Sequence, residues 1–108
     1  MDLELAQVIA DFFSAEERGD AGSLSRCFAE DAFVRDECRN IQGRAAIQER
    51  QLEAKKKYRH TIKSLASDRR EAQTVVTARL TGDFAGSPVN LQFAFAVEAR
   101  KIVSLEIT

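Results

Sequence analysis

Apolar residues in the first half of the chain recur at the three- and four-residue intervals of amphipathic helices. A first helix is predicted over residues 3–18, with Asp2 as its N-cap and Gly19 at its end. Charged residues lie on one face of this helix, and its apolar face comprises Leu5, Val8, Ile9, Phe12 and Phe13. A short second helix is predicted after Asp20, with one side formed by Leu24, Cys27 and Phe28. A third helix is predicted over residues 44–57. Because the first two helices are almost contiguous, they should form a helical hairpin.

Most of the remaining chain shows the alternation of apolar and polar residues that is typical of β-strands. The clearest example is residues 89–98, where one face carries Val89, Leu91, Phe93, Phe95 and Val97. The other predicted strands are residues 32–37, a short one within 38–42, and residues 58–65, 73–84 and 101–107. Helices on one face of an antiparallel sheet make an α+β fold. Three helices cannot cover a long twisted sheet, so the sheet is expected to curl into a cone with an open end.

Composition and charge narrow the possible functions. A chain of 108 residues with 44% hydrophobic residues is expected to fold as one globular domain over residues 1–108. The net charge of −1 lacks the basic excess of nucleic-acid-binding proteins. We therefore interpret Lys55–Lys57 as charges at a helix C-terminus. No apolar run approaches the ~20 residues of a membrane span, and the acidic N-terminus does not resemble a signal peptide. A cytoplasmic protein is expected.

The cysteine and histidine content predicts no metal site and no cofactor. Cys27 and Cys38 lie eleven positions apart in a chain with a single histidine, which is not the spacing of a metal site. Both are expected to be reduced thiols, because disulfides are rare in the cytoplasm. Neither cysteine has a neighbouring histidine or a CxxC motif, so a nucleophilic role is not favoured.

Four short motifs, taken in order, resemble one superfamily. They are FSAEERGD at residues 13–20, LSRCFAEDA at residues 24–32, GRAAI at residues 43–47, and the pair FAF and KIV at residues 93–95 and 101–103. The chain resembles the SnoaL-like members of the nuclear transport factor 2-like superfamily over its whole length. The resemblance implies a cystatin-like cone, a pocket for a small apolar molecule, and a homodimer formed through the open face of the sheet. It does not define the function, because isomerases, dehydratases, cyclases, epoxide hydrolases and non-catalytic domains share this fold.

The ketosteroid isomerases of this superfamily point to Asp36 as a catalytic base. Strand alternation places Asp36 on the same face as Val34, and desolvation in an apolar cone would make its carboxylate a better base. A structural role, with hydrogen bonds to backbone or water, is the alternative. The tyrosine and the second aspartic acid that those isomerases use are replaced here by Phe12 and Leu91. Because loss of one such donor costs ~10²–10³ in rate, steroid isomerisation is not expected.

His60, the single histidine, is the second catalytic candidate. On a strand over residues 58–65 it would share the inner face with Tyr58 and Ile62, where it could accept a proton or orient Asp36. The alternative is a buried histidine that is satisfied by one hydrogen bond. Side chains expected to contact a ligand are Phe12, Phe28, Val34, Tyr58, Phe93 and Phe95.

Two functional hypotheses follow from these residues. The first is a pocket protein that binds a small, largely apolar molecule and transfers a proton, with Asp36 as base and His60 and Tyr58 assisting. The second is a non-catalytic dimeric module, for ligand sensing or interaction, whose cone is filled by its own phenylalanines. The volume of the cone distinguishes them, because ligand pockets measure ~300–1,000 Å³.

Overall fold

A computed structural model describes residues 6–36, 39–58, 61–70 and 72–108, without the side chains of residues 54, 55, 57 and 58. Three helices and six strands follow one another along these segments. In chain order they are α1 (Gln7–Arg18), α2 (Ala21–Arg26), β1 (Phe28–Asp36), β2 (Arg39–Gln42), α3 (Arg44–Tyr58), β3 (Thr61–Arg70), β4 (Gln73–Thr81), β5 (Val89–Glu98) and β6 (Lys101–Ile107).

The turn between α1 and α2 is built by two residues that the sequence indicates. Gly19 adopts a left-handed conformation with φ of 69°, which glycine tolerates because it has no Cβ atom. The Asp20 carboxylate caps α2 by accepting hydrogen bonds from the backbone N–H of Ser23 at 3.1 Å and from its hydroxyl at 2.7 Å. These bonds, led by the one from the hydroxyl, lower the pKa of the Asp20 carboxyl below its usual value. The predicted helical hairpin is confirmed, while the predicted cap at Asp2 lies outside the described residues.

The six strands form one curved, unclosed sheet in the order β2-β1-β6-β5-β4-β3, and the helices pack on it. The predicted α+β architecture is therefore confirmed. One pairing departs from the antiparallel expectation, because β1 and β6 run parallel. Consecutive strands joined by short turns must pair antiparallel. β1, by contrast, joins β6 only after the chain has passed through β2, α3 and three further strands, so its direction is not fixed by a turn.

Several element boundaries differ from the sequence prediction. α1 begins at Gln7 rather than at residue 3, and β4 ends at Thr81 rather than at residue 84. The other differences are extensions of β1, α3 and β3. β1 begins at Phe28 rather than at residue 32, because Phe28 pairs with Ile102 of β6 although Glu30 and Asp31 interrupt the apolar pattern. Tyr58 ends α3 instead of beginning a strand, and no glycine or proline precedes it to end the helix earlier. β3 continues to Arg70, which pairs with Gln73 of β4. In each case pairing or helix continuation extends an element beyond its apolar pattern.

Phenylalanine rings form the centre of the core, between α1 and the concave face of the sheet. The rings of Phe12 and Phe95 lie 5.2 Å apart in an edge-to-face arrangement, and those of Phe13 and Phe93 lie 5.6 Å apart. Phe28 is fully buried against Phe12. The apolar face predicted for β5 is therefore the face that packs against the helices.

Candidate functional site

Beside this aromatic core lies a cavity of about 740 Å³ that is partly open to solvent. All three helices and all six strands contribute lining residues, together with the turn over residues 84–86. Most of its wall is apolar, including Leu24, Ile47, Ile62, Leu80, Leu91 and Leu105. The volume falls within the ~300–1,000 Å³ range of small-molecule pockets, so the phenylalanines do not fill the cone.

Four of the six predicted ligand contacts line this cavity: Phe12, Phe28, Val34 and Phe93. Phe95 does not line it. Its side chain is 1% exposed and packs in the core against Phe12 and Phe13. The side chain of Tyr58 and all of His60 lie outside the described part of the structure. The predicted approach of His60 to Asp36 therefore stays a prediction.

Asp36 lies at the end of β1 and lines the cavity, on the same face as the buried Ala32 and Val34. Its Oδ2 atom accepts a hydrogen bond from the guanidinium of Arg50 on α3, which also lines the cavity. The Asp36 and Arg50 side chains are 21% and 29% exposed, so the pair is reachable from the cavity. Strand alternation predicts the inward direction of Asp36, but a cation replaces the purely apolar surroundings that the sequence suggested.

A second polar pair, Glu16 and Gln51, is buried in the cavity wall. Gln51 Nε2 on α3 donates to Glu16 Oε1 on α1 at 2.9 Å, and the two residues are only 8% and 6% exposed. Sequence reasoning placed the charges of α1 on its outer face and missed Glu16. The signal was its position, because Glu16 lies four residues after Phe12 and therefore on the apolar side of the helix.

Phe12 and Leu91 both line the cavity, so the two positions that resemble isomerase donor sites contribute only apolar surface. The polar groups of the wall come instead from Glu16, Gln51, the Asp36–Arg50 pair, Arg39 and Glu53. Carboxylates and hydrogen-bond donors are thus both present, although at different positions from those that the resemblance suggested.

Cys27 is buried away from this cavity. Burial, and secondarily the charge of Asp11, raise the pKa of its thiol, which favours the unreactive protonated form. Cys38 lies outside the described residues. Within residues 6–36, 39–58, 61–70 and 72–108, no group of three or more His, Cys, Asp or Glu side chains is arranged to hold a metal ion. No helix in the same segments is long and apolar enough to cross a membrane.

Comparison with known proteins decides the family. The family model of the SnoaL-like domain matches residues 9–105, which is nearly the whole chain. The chain belongs to the SnoaL-like domain family. No curated protein matches the sequence of this SnoaL-like chain.

Solved structures confirm the fold. A proposed polyketide cyclase from Sinorhizobium meliloti superposes with a TM-score of 0.93 at 35% identity, covering 96% of this chain and 95% of that one. A protein from Catenulispora acidiphila with a ketosteroid isomerase-like fold, in complex with trimethylamine, gives a TM-score of 0.84 at 14% identity over 97% and 86% of the two chains. A cystatin-fold protein from Novosphingobium aromaticivorans gives 0.81 at 10% identity over 95% and 96%. The expected nuclear transport factor 2-like, cystatin-like cone is confirmed.

Proposed function

We propose that this chain binds a small, largely apolar molecule in the cavity and transfers a proton from a carbon atom next to a carbonyl group, with Asp36 as the base. The observation that carries this proposal is an ion-paired carboxylate on the wall of an otherwise mainly apolar cavity of about 740 Å³. Apolar walls with a few placed polar groups are the usual construction of small-molecule sites.

The chemistry assigns a role to each member of the Asp36–Arg50 pair. A carboxylate oxygen of Asp36 takes the proton as the C–H bond breaks, and the electron pair of that bond forms a C=C bond. The electrons of the carbonyl π bond move to its oxygen, which gives an enolate. The guanidinium of Arg50, adjacent to Asp36, supplies a fixed positive charge for the enolate oxygen, and such charge stabilisation is a major part of catalysis.

The ion pair also restricts the class of substrate. A neighbouring cation stabilises the anionic form of a carboxylate, so a paired aspartate is a weaker base than an isolated buried one. The C–H bond must therefore be activated by more than one group, such as two carbonyls or a carbonyl and an aromatic ring. Polyketide chains, with carbonyl groups on alternate carbons, have this property, and the Sinorhizobium meliloti relative is a proposed polyketide cyclase.

A ligand-sensing module without catalysis is the second candidate. Phe12 and Leu91 favour it, because neither can donate a hydrogen bond to an enolate oxygen. The cavity volume of about 740 Å³ disfavours a sensing module whose cone is filled by its own phenylalanines. Binding without acceleration of proton exchange would support the sensing module over the enzyme.

Binding in the cavity can be tested with a fluorescent reporter, because the chain has no tryptophan. In a Leu91→Trp variant the only indole would line the cavity, whereas in a Leu65→Trp control it would lie on an exposed site outside it. We expect the apolar ketone 2-tetralone to quench the first variant with a saturable curve and the second only in linear proportion to its concentration. Linear quenching of both variants would exclude a ketone site in the cavity.

We also propose that the convex face of the sheet pairs with a second copy of the chain. Arg79, Asn90 and Gln92 on this face are exposed, while their neighbours Ala78 and Phe93 point to the core. The face is semi-polar, which homodimer interfaces tolerate.

Light scattering after gel filtration should give twice the 12.1 kDa chain mass. The variant Ala94→Arg, with its substitution in the middle of the face, should show half of that dimer mass. A wild-type protein that stays at the single-chain mass at all concentrations would contradict this.

A further inference from the structure

A second groove, of about 720 Å³, lies between α1, α2 and the turn that joins β5 to β6. It shares no lining residue with the cavity, because it is lined by a different stripe of α1. Part of its wall is apolar, including Val8 on α1 and Val97 on β5. The groove is therefore large enough for an organic molecule and is separate from the candidate site.

The groove is strongly basic. Among the described residues that line it, a single carboxylate, that of Asp11, lies beside four cations: Arg18, Arg26, Arg100 and Lys101. The whole chain has a net charge of −1, so this positive charge is a local feature. Several cations in one concave surface attract an anion, and most strongly an anion that carries more than one charge.

Hydrogen bonds hold three of these cations in place. Arg18 donates to Ser14 Oγ at 2.6 Å, and Arg26 donates to Ser23 Oγ at 3.0 Å. Lys101 Nζ donates to the backbone carbonyl of Arg26 at 2.6 Å. The guanidinium fork of arginine matches the oxygens of both phosphate and carboxylate groups. A cluster of four cations favours the more highly charged of the two, which is the phosphate dianion.

Stabilisation of helix ends explains part of the cluster. Arg18 and Arg26 lie in the last turns of α1 and α2, where a cation is favourable. Asp20 lies 3.7 Å from Arg18 and offsets part of its charge. Neither explanation applies to Arg100, which belongs to the turn between two strands.

Arg100 has a backbone conformation that glycine normally adopts. Ala99 and Arg100 form the two-residue turn between the paired residues Glu98 and Lys101, and their φ angles are 49° and 65°. Such turns usually contain Asn-Gly or a similar pair, because most side chains are strained at positive φ. An arginine at this position opposes the local backbone preference, which points to a role for its side chain in the groove.

We propose that this groove is a second binding site, which takes a phosphate dianion carried as a monoester on a small apolar body. The phosphate lies among the four cations, and the apolar body contacts Val8 and Val97. The proposal goes beyond the reaction at the cavity and does not depend on it, since the two sites have no lining residue in common.

The test uses 2-naphthyl phosphate, whose fluorescence can be followed in a chain without tryptophan. Arg100→Gly should lower its affinity about tenfold, because a hydrogen bond to a charged group is lost. The same variant should raise the midpoint of urea unfolding, because glycine relieves the strain at positive φ. Ala99→Gly is the matched control, which should raise the midpoint and leave the affinity unchanged. An arginine that only stabilised the turn would not give opposite effects on stability and affinity.

Arg69→Gln controls for the loss of one positive charge, because Arg69 is exposed on β3 and lines neither the groove nor the cavity. It should bind the probe like the wild type. Competition by inorganic phosphate distinguishes the source of the phosphate. Displacement of the probe only at far higher concentrations would support the ester, whereas displacement at equal concentrations would support a site for free phosphate and overturn the role of the apolar body.

Three results would overturn the inference: no saturable binding of 2-naphthyl phosphate, an affinity that Arg100→Gly does not change, or equal affinity for the uncharged 2-naphthol. The last two would mean that the naphthalene body alone is bound, or that the probe occupies another site. The function proposed for the cavity would survive each of them, because Asp36 lies outside the groove.

Discussion

Replacing Asp36 with asparagine is expected to slow proton exchange on 2-tetralone by about 10²- to 10⁴-fold, the usual contribution of a positioned general base. The probe is an apolar ketone whose benzylic C–H bonds are activated by both the carbonyl group and the ring. Asparagine keeps the volume of the side chain but cannot take a proton at neutral pH. Deuterium incorporation, followed by NMR in deuterated buffer with and without protein, measures the effect.

The fold should survive this substitution. The Asp36 and Arg50 side chains keep 21% and 29% exposure, so the guanidinium stays in contact with water, and the side-chain oxygen of asparagine can still accept its hydrogen bond. Asp31→Asn provides the control, because Asp31 is an exposed carboxylate on the same strand and does not line the cavity. Equal exchange rates for the wild type and both variants would remove Asp36 as the base. Equal losses of exchange rate in the Asp36 and Asp31 variants would indicate that removing any negative charge slows the reaction, and not that Asp36 is the base.

The sequence predicts elements well where local chemistry alone defines them. Gly19 and Asp20 form the turn between α1 and α2 by backbone conformation and capping, which depend only on neighbouring residues. The alternation in β5 likewise predicts which side chains enter the core. By contrast, Glu30 and Asp31 are exposed within β1 and show no strand pattern. They lie at an irregularity between two pairs that β1 makes with β6, Phe28 with Ile102 and Phe33 with Ser104. These partners come some seventy residues later in the chain, and no local signal reports the pairing.

In the candidate site, too, the sequence predicts the features that depend on neighbouring residues and not those that depend on distant ones. Alternation along β1 is sufficient to turn Asp36 inward beside Val34. The pairing of Asp36 with Arg50 depends on how α3 packs against β1. The spacing of residues within each element does not predict how two elements pack together. Glu16 was missed because a charged residue on an apolar helix face is usually at the solvent edge of that face. Its burial follows only from the cavity, since that is where α1 meets α3 and Gln51 can donate to it.

Phe95 illustrates how the structure separates residues that bind a ligand from residues that maintain the fold. The pattern of β5 gives Phe93 and Phe95 the same inward direction, and both were expected to contact a ligand. In the structure Phe93 lines the cavity and Phe95 does not. The Phe95 ring packs against those of Phe12, at 5.2 Å, and Phe13, at 5.7 Å. Its contribution should therefore appear in stability.

Phe95→Ala is expected to lower the free energy of unfolding by ~3–5 kcal/mol, the usual cost of removing a buried aromatic side chain and leaving a cavity. Since small domains are stable by only ~5–15 kcal/mol, this is a large fraction of the total. Urea unfolding followed by circular dichroism should show a lower midpoint with an unchanged slope. Phe33→Ala is the control, because Phe33 is 42% exposed on the outer face of β1 and should cost less than ~1 kcal/mol. If the two variants were equally stable, the aromatic cluster would not be the centre of the core, and the cavity beside it would lose its rigid wall.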